Sequence, residues 1–140
     1  MKLELVSLTG VKFSDDVYEV IIPTADGEIS VFPTHMPLVS LAVPGVLKVR
    51  KNQSDADDTM ATYASLGGVV EITPDHVRIL VDEVERDEEI LEEEAKAALE
   101  TAHKLKAQAK NAVELEKAQG MIDRQSVRLH VAGLKRRGRR

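Results

Sequence analysis

The amino-acid sequence predicts a mainly β, α+β protein: an N-terminal β-sandwich or flattened barrel of about 8–10 strands, followed by a C-terminal antiparallel two-helix hairpin. Three observations lead there. All four aromatics (Phe13, Tyr18, Phe32, Tyr63), all five prolines and five of the eight glycines fall within residues 1–86 of the 140. That half carries 7 Lys or Arg against 14 Asp or Glu, whereas residues 87–140 carry 12 against 10. From Asp75 to Gln119 there is neither Gly nor Pro. Short runs broken by turn residues thus give way to uninterrupted helix, and the change falls at Asp82–Asp87. Two domains are expected, 1–86 and 87–140.

Taken in order, the apolar runs predict strands at Leu3–Leu8, Val17–Thr24, Glu28–Phe32, Leu38–Ala42, Val46–Lys51, Met60–Leu66, Gly68–Thr73 and His76–Val81. Period-2 alternation marks several of them, as in Val77, Ile79 and Val81 against His76, Arg78 and Leu80. Ala25-Asp26-Gly27 and Thr73-Pro74-Asp75 are turn signals, and Asn52–Asp58 reads as a polar hairpin tip. The pair Gly67-Gly68 reads as a hairpin turn or bulge rather than a phosphate-binding nest.

In the second half Leu91, Ala95, Ala98, Ala102, Leu105, Ala109 and Ala112 repeat at alternating four- and three-residue steps. This is a heptad seam built mostly of alanine, so a partner helix approaches closely and buries little area. A second apolar set, Leu115, Ala118, Ile122, Leu129 and Ala132, follows a break at Lys110-Asn111. The hairpin is therefore expected to dock marginally and to be able to detach.

Composition also excludes function classes. With 43% hydrophobic and 31% charged residues, a net charge of −5 and no Cys, the chain has no disulfide framework, thiolate metal site or cysteine nucleophile. The opening MKLELVSLTGVKF has no apolar signal core, and no window approaches the roughly 20 apolar residues that span a bilayer. Phosphate-loop and nucleophile-elbow motifs do not occur, and His35, His76, His103 and His130 never share a metal-ligand spacing. The nine acids around Arg86 in Asp82–Glu94 read as a solvated helix start rather than as catalytic carboxylates. No catalytic, cofactor-binding or metal residue is expected. The tail from Lys135 to Arg140 places five cations in six residues. Such a tail suits nucleic acid, anionic lipid or an acidic protein surface, but it has no aromatic partner for base stacking. Pattern alone thus describes a non-catalytic interaction module with a rigid β platform and a detachable helical arm.

The run Ala25-Asp26-Gly27-Glu28-Ile29-Ser30-Val31-Phe32-Pro33-Thr34-His35-Met36-Pro37-Leu38 is followed by Val43-Pro44-Gly45-Val46 and by Leu66-Gly67-Gly68-Val69-Val70-Glu71-Ile72. Together with the order of the two halves and Arg128-Leu129-His130-Val131-Ala132, these segments resemble the epsilon subunits of F-type ATP synthases over essentially the whole chain. One departure is Thr34, where the family usually has Gly; Thr disfavours a positive φ.

The resemblance implies a non-catalytic rotor subunit at the foot of the central stalk, coupling the rotation of a membrane proton-carrying ring to ATP synthesis in the catalytic head. It implies ring contacts at Asp26, Gly27, Glu28, Thr34 and His35, and gamma-subunit contacts at Pro37, Leu38, Ser40 and Val46. It further implies an arm that extends to block ATP hydrolysis, with Arg124, Arg128, Lys135, Arg136 and Arg137, and with Arg139 and Arg140 beyond them, meeting acidic segments of the alpha and beta subunits. Some relatives bind ATP on the arm through I-D-x-x-R-A. The matching stretch here is Ile90-Leu91-Glu92-Glu93-Glu94-Ala95, with Leu91 for Asp and Glu94 for Arg. Although Glu85, Arg124 and Arg128 match other contact positions, weak ATP binding or none is expected, because a carboxylate repels phosphate. The implied location is peripheral, on the cytoplasmic face of a bacterial plasma membrane, with a plastid-encoded origin as the alternative. The competing function is a basic-tailed binding module for nucleic acid or anionic lipid. A small enzyme using the acid-rich stretch has only the carboxylate count in its favour.

Overall fold

The computed structural model describes residues 1–138; Arg139 and Arg140 of the basic tail lie outside the described residues. Eight strands precede two helices: β1 (Lys2–Ser7), β2 (Gly10–Asp16), β3 (Glu19–Thr24), β4 (Gly27–Val31), β5 (Leu38–Arg50), β6 (Ala61–Thr73), β7 (His76–Val81), β8 (Val84–Arg86), α1 (Glu92–Ala107) and α2 (Ala112–Gly138). The pairing order is β2-β1-β7-β6-β5-β3-β4, with β8 also on β6. β2 and β4 end this path unjoined, so the architecture is a sandwich and not the closed barrel that the sequence also allowed.

Two of the expected strand breaks are bends inside longer strands. β5 and β6 are each 13 residues long and pair from Leu38↔Ile72 to Val49↔Ala61, the register passing from Ala42↔Gly68 to Pro44↔Leu66. At that point the inward-facing parity switches. Ala42 enters the core before the bend, and Leu47 and Val49 after it; on β6, Tyr63 lies before it and Val70 and Ile72 after it. Both strands therefore pass from one layer to the other at Pro44-Gly45 and Gly67-Gly68, and the absent side chains of Gly45, Gly67 and Gly68 permit the corner.

One core fills the sandwich. Leu3 and Leu5 of β1, Val20 and Ile22 of β3, Leu47 of β5 and Val77 and Ile79 of β7 are all fully buried in it. Phe13 packs edge-on against Tyr63 with ring centroids 6.0 Å apart, closing the β2 side. β2 was not among the expected strands, because its sequence Gly-Val-Lys-Phe-Ser-Asp-Asp is polar and largely exposed, as an edge strand is. β8 was also absent from the expected strands; it is three residues long, which is too short for periodicity to register.

The two helices meet where the break was expected, α1 ending at Ala107 and α2 beginning at Ala112. Asn111 caps the second helix, its Oδ1 accepting the Glu114 N–H at 2.9 Å. Ala95 and Ala102, one heptad apart, are completely buried, as the seam requires. Leu91 and Leu105 depart from it, being 63% and 45% exposed. On α2 the buried residues are Ala118, Ile122, Gln125, Val131 and Ala132, whereas Leu115 is exposed. Val131 signals a second stripe. With Val127 and Leu134 it turns toward the sheet, against Val46 of β5 and Ala64 of β6, so α2 serves α1 and the sandwich at once.

Candidate functional site

Three regions outside the core present chemistry to a partner. The first is the outer face of the layer formed by β1, β7 and the adjoining halves of β6 and β5. Leu41 pairs with Val69, Val69 with Leu80, and Leu80 with Val6, which sets an apolar row across four strands. Leu41, Val69 and Leu80 are 66%, 40% and 50% exposed. Beside it runs the row Val39, Glu71, Arg78 and Glu4. Arg78 Nε donates to Glu4 Oε2 at 3.2 Å, and His76 Nε2 lies 3.4 Å from the same oxygen. The hydrogen bond from Arg78 holds the Glu4 carboxyl below its ordinary range. An apolar row of this extent on an open sheet, with fixed charges at its flank, is the signature of a covered surface. Val39 and Leu41 fall within the Pro37–Val46 stretch expected to face gamma, whereas Val6, Val69, Leu80, Glu71, Arg78 and Glu4 were not expected. The signal was present in Val69-Val70 and Ile79-Leu80-Val81, where apolar residues occupy both parities as in a strand covered on both faces.

The expected gamma contacts divide. Pro37 and Leu38 are exposed and Ser40 is half-buried, all at the start of β5 beside the open face. Val46 does not belong with them in this conformation. It lies past the bend, 9% exposed, beneath Val131 and Ala132 of α2.

The second region comprises the two expected ring contacts, and the structure separates them. Asp26 lies in the β3–β4 turn and Gly27 and Glu28 open β4, all exposed; Gly27 has φ +120° and its carbonyl accepts the Thr24 hydroxyl at 2.6 Å. Thr34 and His35 follow the other end of β4. Thr34 has a φ of 68°, and its N–H is fixed to the Pro74 carbonyl at 2.8 Å. A β-branched residue in this left-handed region is strained, and the strain is one that Gly would relieve. His35 Nδ1 lies 2.7 Å from the Met36 carbonyl oxygen.

The third region is the inner side of the arm. Arg128 donates through Nε to Glu85 Oε2 at 2.7 Å and through Nη2 to Glu85 Oε1 at 3.2 Å, and its Nη1 reaches Gln125 Oε1 at 2.8 Å. Arg124 Nη2 reaches Glu83 Oε1 at 2.5 Å, and Arg136 Nη1 reaches Glu92 Oε1 at 3.1 Å. Lys135 and Arg137 border a cleft of about 760 Å³ whose rim also carries Asp57, Asp58, Asp87 and Glu88. Arg124, Arg128 and Arg136 thus pair with acids of their own chain, while the cleft beside Lys135 and Arg137 also holds Lys48, Arg50 and Arg86. Among the described residues no group of three His, Asp or Glu side chains converges to hold a metal.

A family model described as ATP synthase, Delta/Epsilon chain, beta-sandwich domain matches residues 1–87. The chain belongs to this family of ATP synthase subunits. It is 36% identical over 99% of its length to the ATP synthase epsilon chain of Chloroflexus aggregans, covering 96% of that protein. To the ATP synthase epsilon chain of a Sulfurihydrogenibium species it is 39% identical over 83% of both chains. Its fold is shared with a chain in the Euglena gracilis mitochondrial ATP synthase OSCP/F1/c-ring structure, with a TM-score of 0.76 at 24% identity, over 93% of this chain and 79% of that one. As an epsilon chain it is a stalk subunit of ATP synthase and not catalytic on its own.

Proposed function

We propose that this epsilon chain grips the gamma subunit with the open face of its sandwich, meets the membrane ring with its loops, and restrains ATP hydrolysis with its helical arm. The observation that carries this reading is the pairing of an uncovered apolar row, Leu41-Val69-Leu80, with an arm held over the opposite layer by few apolar side chains and two ion pairs. A rigid face suits a partner that must turn with it. A lightly held arm suits a switch.

The acidic turn Asp26-Gly27-Glu28 is the ring contact, where charge complementarity supplies register more than affinity. Thr34 and His35 form a second contact, reached at the far end of β4. Arg124, Arg128, Lys135, Arg136 and Arg137 are the groups that an extended arm carries to acidic segments of the alpha and beta subunits. ATP binding to the folded arm is weak or absent: Glu94 puts a carboxylate where phosphate needs a cation, and Glu85 already occupies Arg128. The same pairing argues against nucleic acid as the arm's partner. As an ATP synthase subunit the chain is membrane-associated, and no helix among the described residues is long and apolar enough to cross a membrane. Its position is peripheral, on the cytoplasmic face of a bacterial plasma membrane.

The test is twofold. Leu41→Glu with Val69→Lys is expected to abolish co-purification with gamma while leaving the isolated chain folded. Deleting residues 88–140 is expected to raise ATP hydrolysis by the assembled head. Retained binding by the double variant overturns the gamma assignment, and an unchanged hydrolysis rate overturns the inhibitory one.

A further inference from the structure

Glu83 and Glu85 stand two residues apart at β8, and Arg124 and Arg128 stand four apart on α2. Two strand steps advance about 6.6 Å and four helix steps about 6 Å, so the two spacings match and both pairs form side by side. The geometry points to an ionic latch: these two rungs, rather than the small apolar cluster beneath α2, set the axial register of the arm on the sandwich and hold it down.

The alanine seam of Ala95 and Ala102 joins α1 to α2 and leaves the register of α2 on the sandwich unset. The apolar cluster under α2 is small, Val46, Ala64, Ile90, Val131 and Ala132 with Val127 and Leu134 packed against them. The rungs differ from both in being directional. The Arg128 pair is bidentate, and the Arg128 side chain is 12% exposed, so its planar fork accepts only one placement of the Glu85 carboxylate. Gln125, 8% exposed, occupies the third donor direction and locks the rotamer. The Arg124–Glu83 rung is more open, with side chains 46% and 40% exposed, and is accordingly the one that salt weakens first.

This latch rests on the proposed role of the arm for its biological meaning, but it acts within the isolated chain. A partner that offers carboxylates to Arg124 and Arg128 competes directly with Glu83 and Glu85. Release of the arm and its capture are then one exchange of acids around the same two guanidinium groups.

The latch makes the response to salt diagnostic. Screening weakens ion pairs, whereas an arm held by apolar contact is unaffected by NaCl or tightened by it. The chain has no native cysteine, so Lys12→Cys with Ser126→Cys gives one labelled pair, both exposed, that reports the distance between sandwich and arm in the full chain. Raising NaCl from about 50 to about 500 mM is expected to increase the open fraction. Glu83→Gln with Glu85→Gln is expected to raise the open-to-closed ratio about fivefold at low salt and to flatten its salt dependence. Reversing all four charges (Glu83→Arg, Glu85→Arg, Arg124→Glu, Arg128→Glu) is expected to restore both. Near-ultraviolet circular dichroism checks that the sandwich persists, since all four aromatics lie in it. Val131→Ala is the control that opens the arm without changing the salt slope. A doubly neutral variant that keeps the parent's open fraction and salt response overturns the latch, whatever the gamma and hydrolysis assays return. A latch that behaves as described, with hydrolysis unaffected by loss of the arm, faults only the regulatory reading.

Discussion

Gly68 runs so close to Leu80 that a methyl group on its Cα would stand 2.0 Å from the Leu80 carbonyl oxygen. Its φ of +146° adds a second reason for glycine there. The adjacent strand β7 allows no side chain at the corner of β6, and the sandwich depends on that corner.

Gly68→Ala is therefore expected to cost about 3 kcal/mol or more, because backbone and not a flexible side chain must move. Equilibrium denaturation of the full chain measures this. A loss below about 1 kcal/mol contradicts the steric account of the bend.

The opposite sign is expected at Thr34. Its φ of 68° places a β-branched residue in the left-handed region, and Thr34→Gly relieves that strain at some cost in chain entropy. The net gain is about 0.5–1 kcal/mol, visible as an upward shift of the denaturation midpoint. Thr34→Val, which keeps the branch and removes the hydroxyl, gives no gain.

Arm and sandwich are expected to separate energetically. Leu47→Ala, in the sandwich core, destabilises the whole fold by about 2–5 kcal/mol. Val131 is equally buried but belongs to the small cluster beneath α2. Val131→Ala is expected to cost less and to act locally. Hydrogen exchange tells the two apart: the arm's amides lose protection in the second variant while those of β1, β6 and β7 keep theirs.

Acid is expected to weaken the fold through two surface pairs. Hydrogen bonding to Arg78 lowers the pKa of Glu4, and hydrogen bonding to Lys51 lowers that of Asp15. A carboxyl whose folded pKa lies below its unfolded one binds more protons when unfolded. Its contribution is fully present above the ordinary values, 4.5 for Glu4 and 3.8 for Asp15, and is lost as pH falls through the lower folded pKa. Glu4→Gln with Asp15→Asn is expected to flatten the acid limb of the stability curve, and the Asp15→Asn change to flatten part of its alkaline limb as well, because Asp15 raises the Lys51 pKa.

The order of the two halves, the site of the helix break and the role of Ala95 and Ala102 could be read from residue order, because each reflects local punctuation or a period within a few turns. The F-P-x-H-x-P run with its later PG and LGG segments likewise stands in the chain itself, and so the family was legible. Strand pairing was not. Alternation shows that a strand has two faces, but it does not name the neighbour, so the bends at Pro44-Gly45 and Gly67-Gly68 looked like ends. The polar edge strand β2 passed for loop because an edge needs few apolar residues. Val46 looked like a contact residue until α2 was laid over it.

Residue order therefore accounts for the sandwich and the arm, since turn chemistry and helical periodicity act over short stretches of chain. Folding in three dimensions accounts for the open row Leu41-Val69-Leu80, the burial of Val46 and the rungs Glu83–Arg124 and Glu85–Arg128, whose members are 41 and 43 residues apart. Such partners are selected by packing across the whole domain, and nothing in the local spacing of either residue encodes the other.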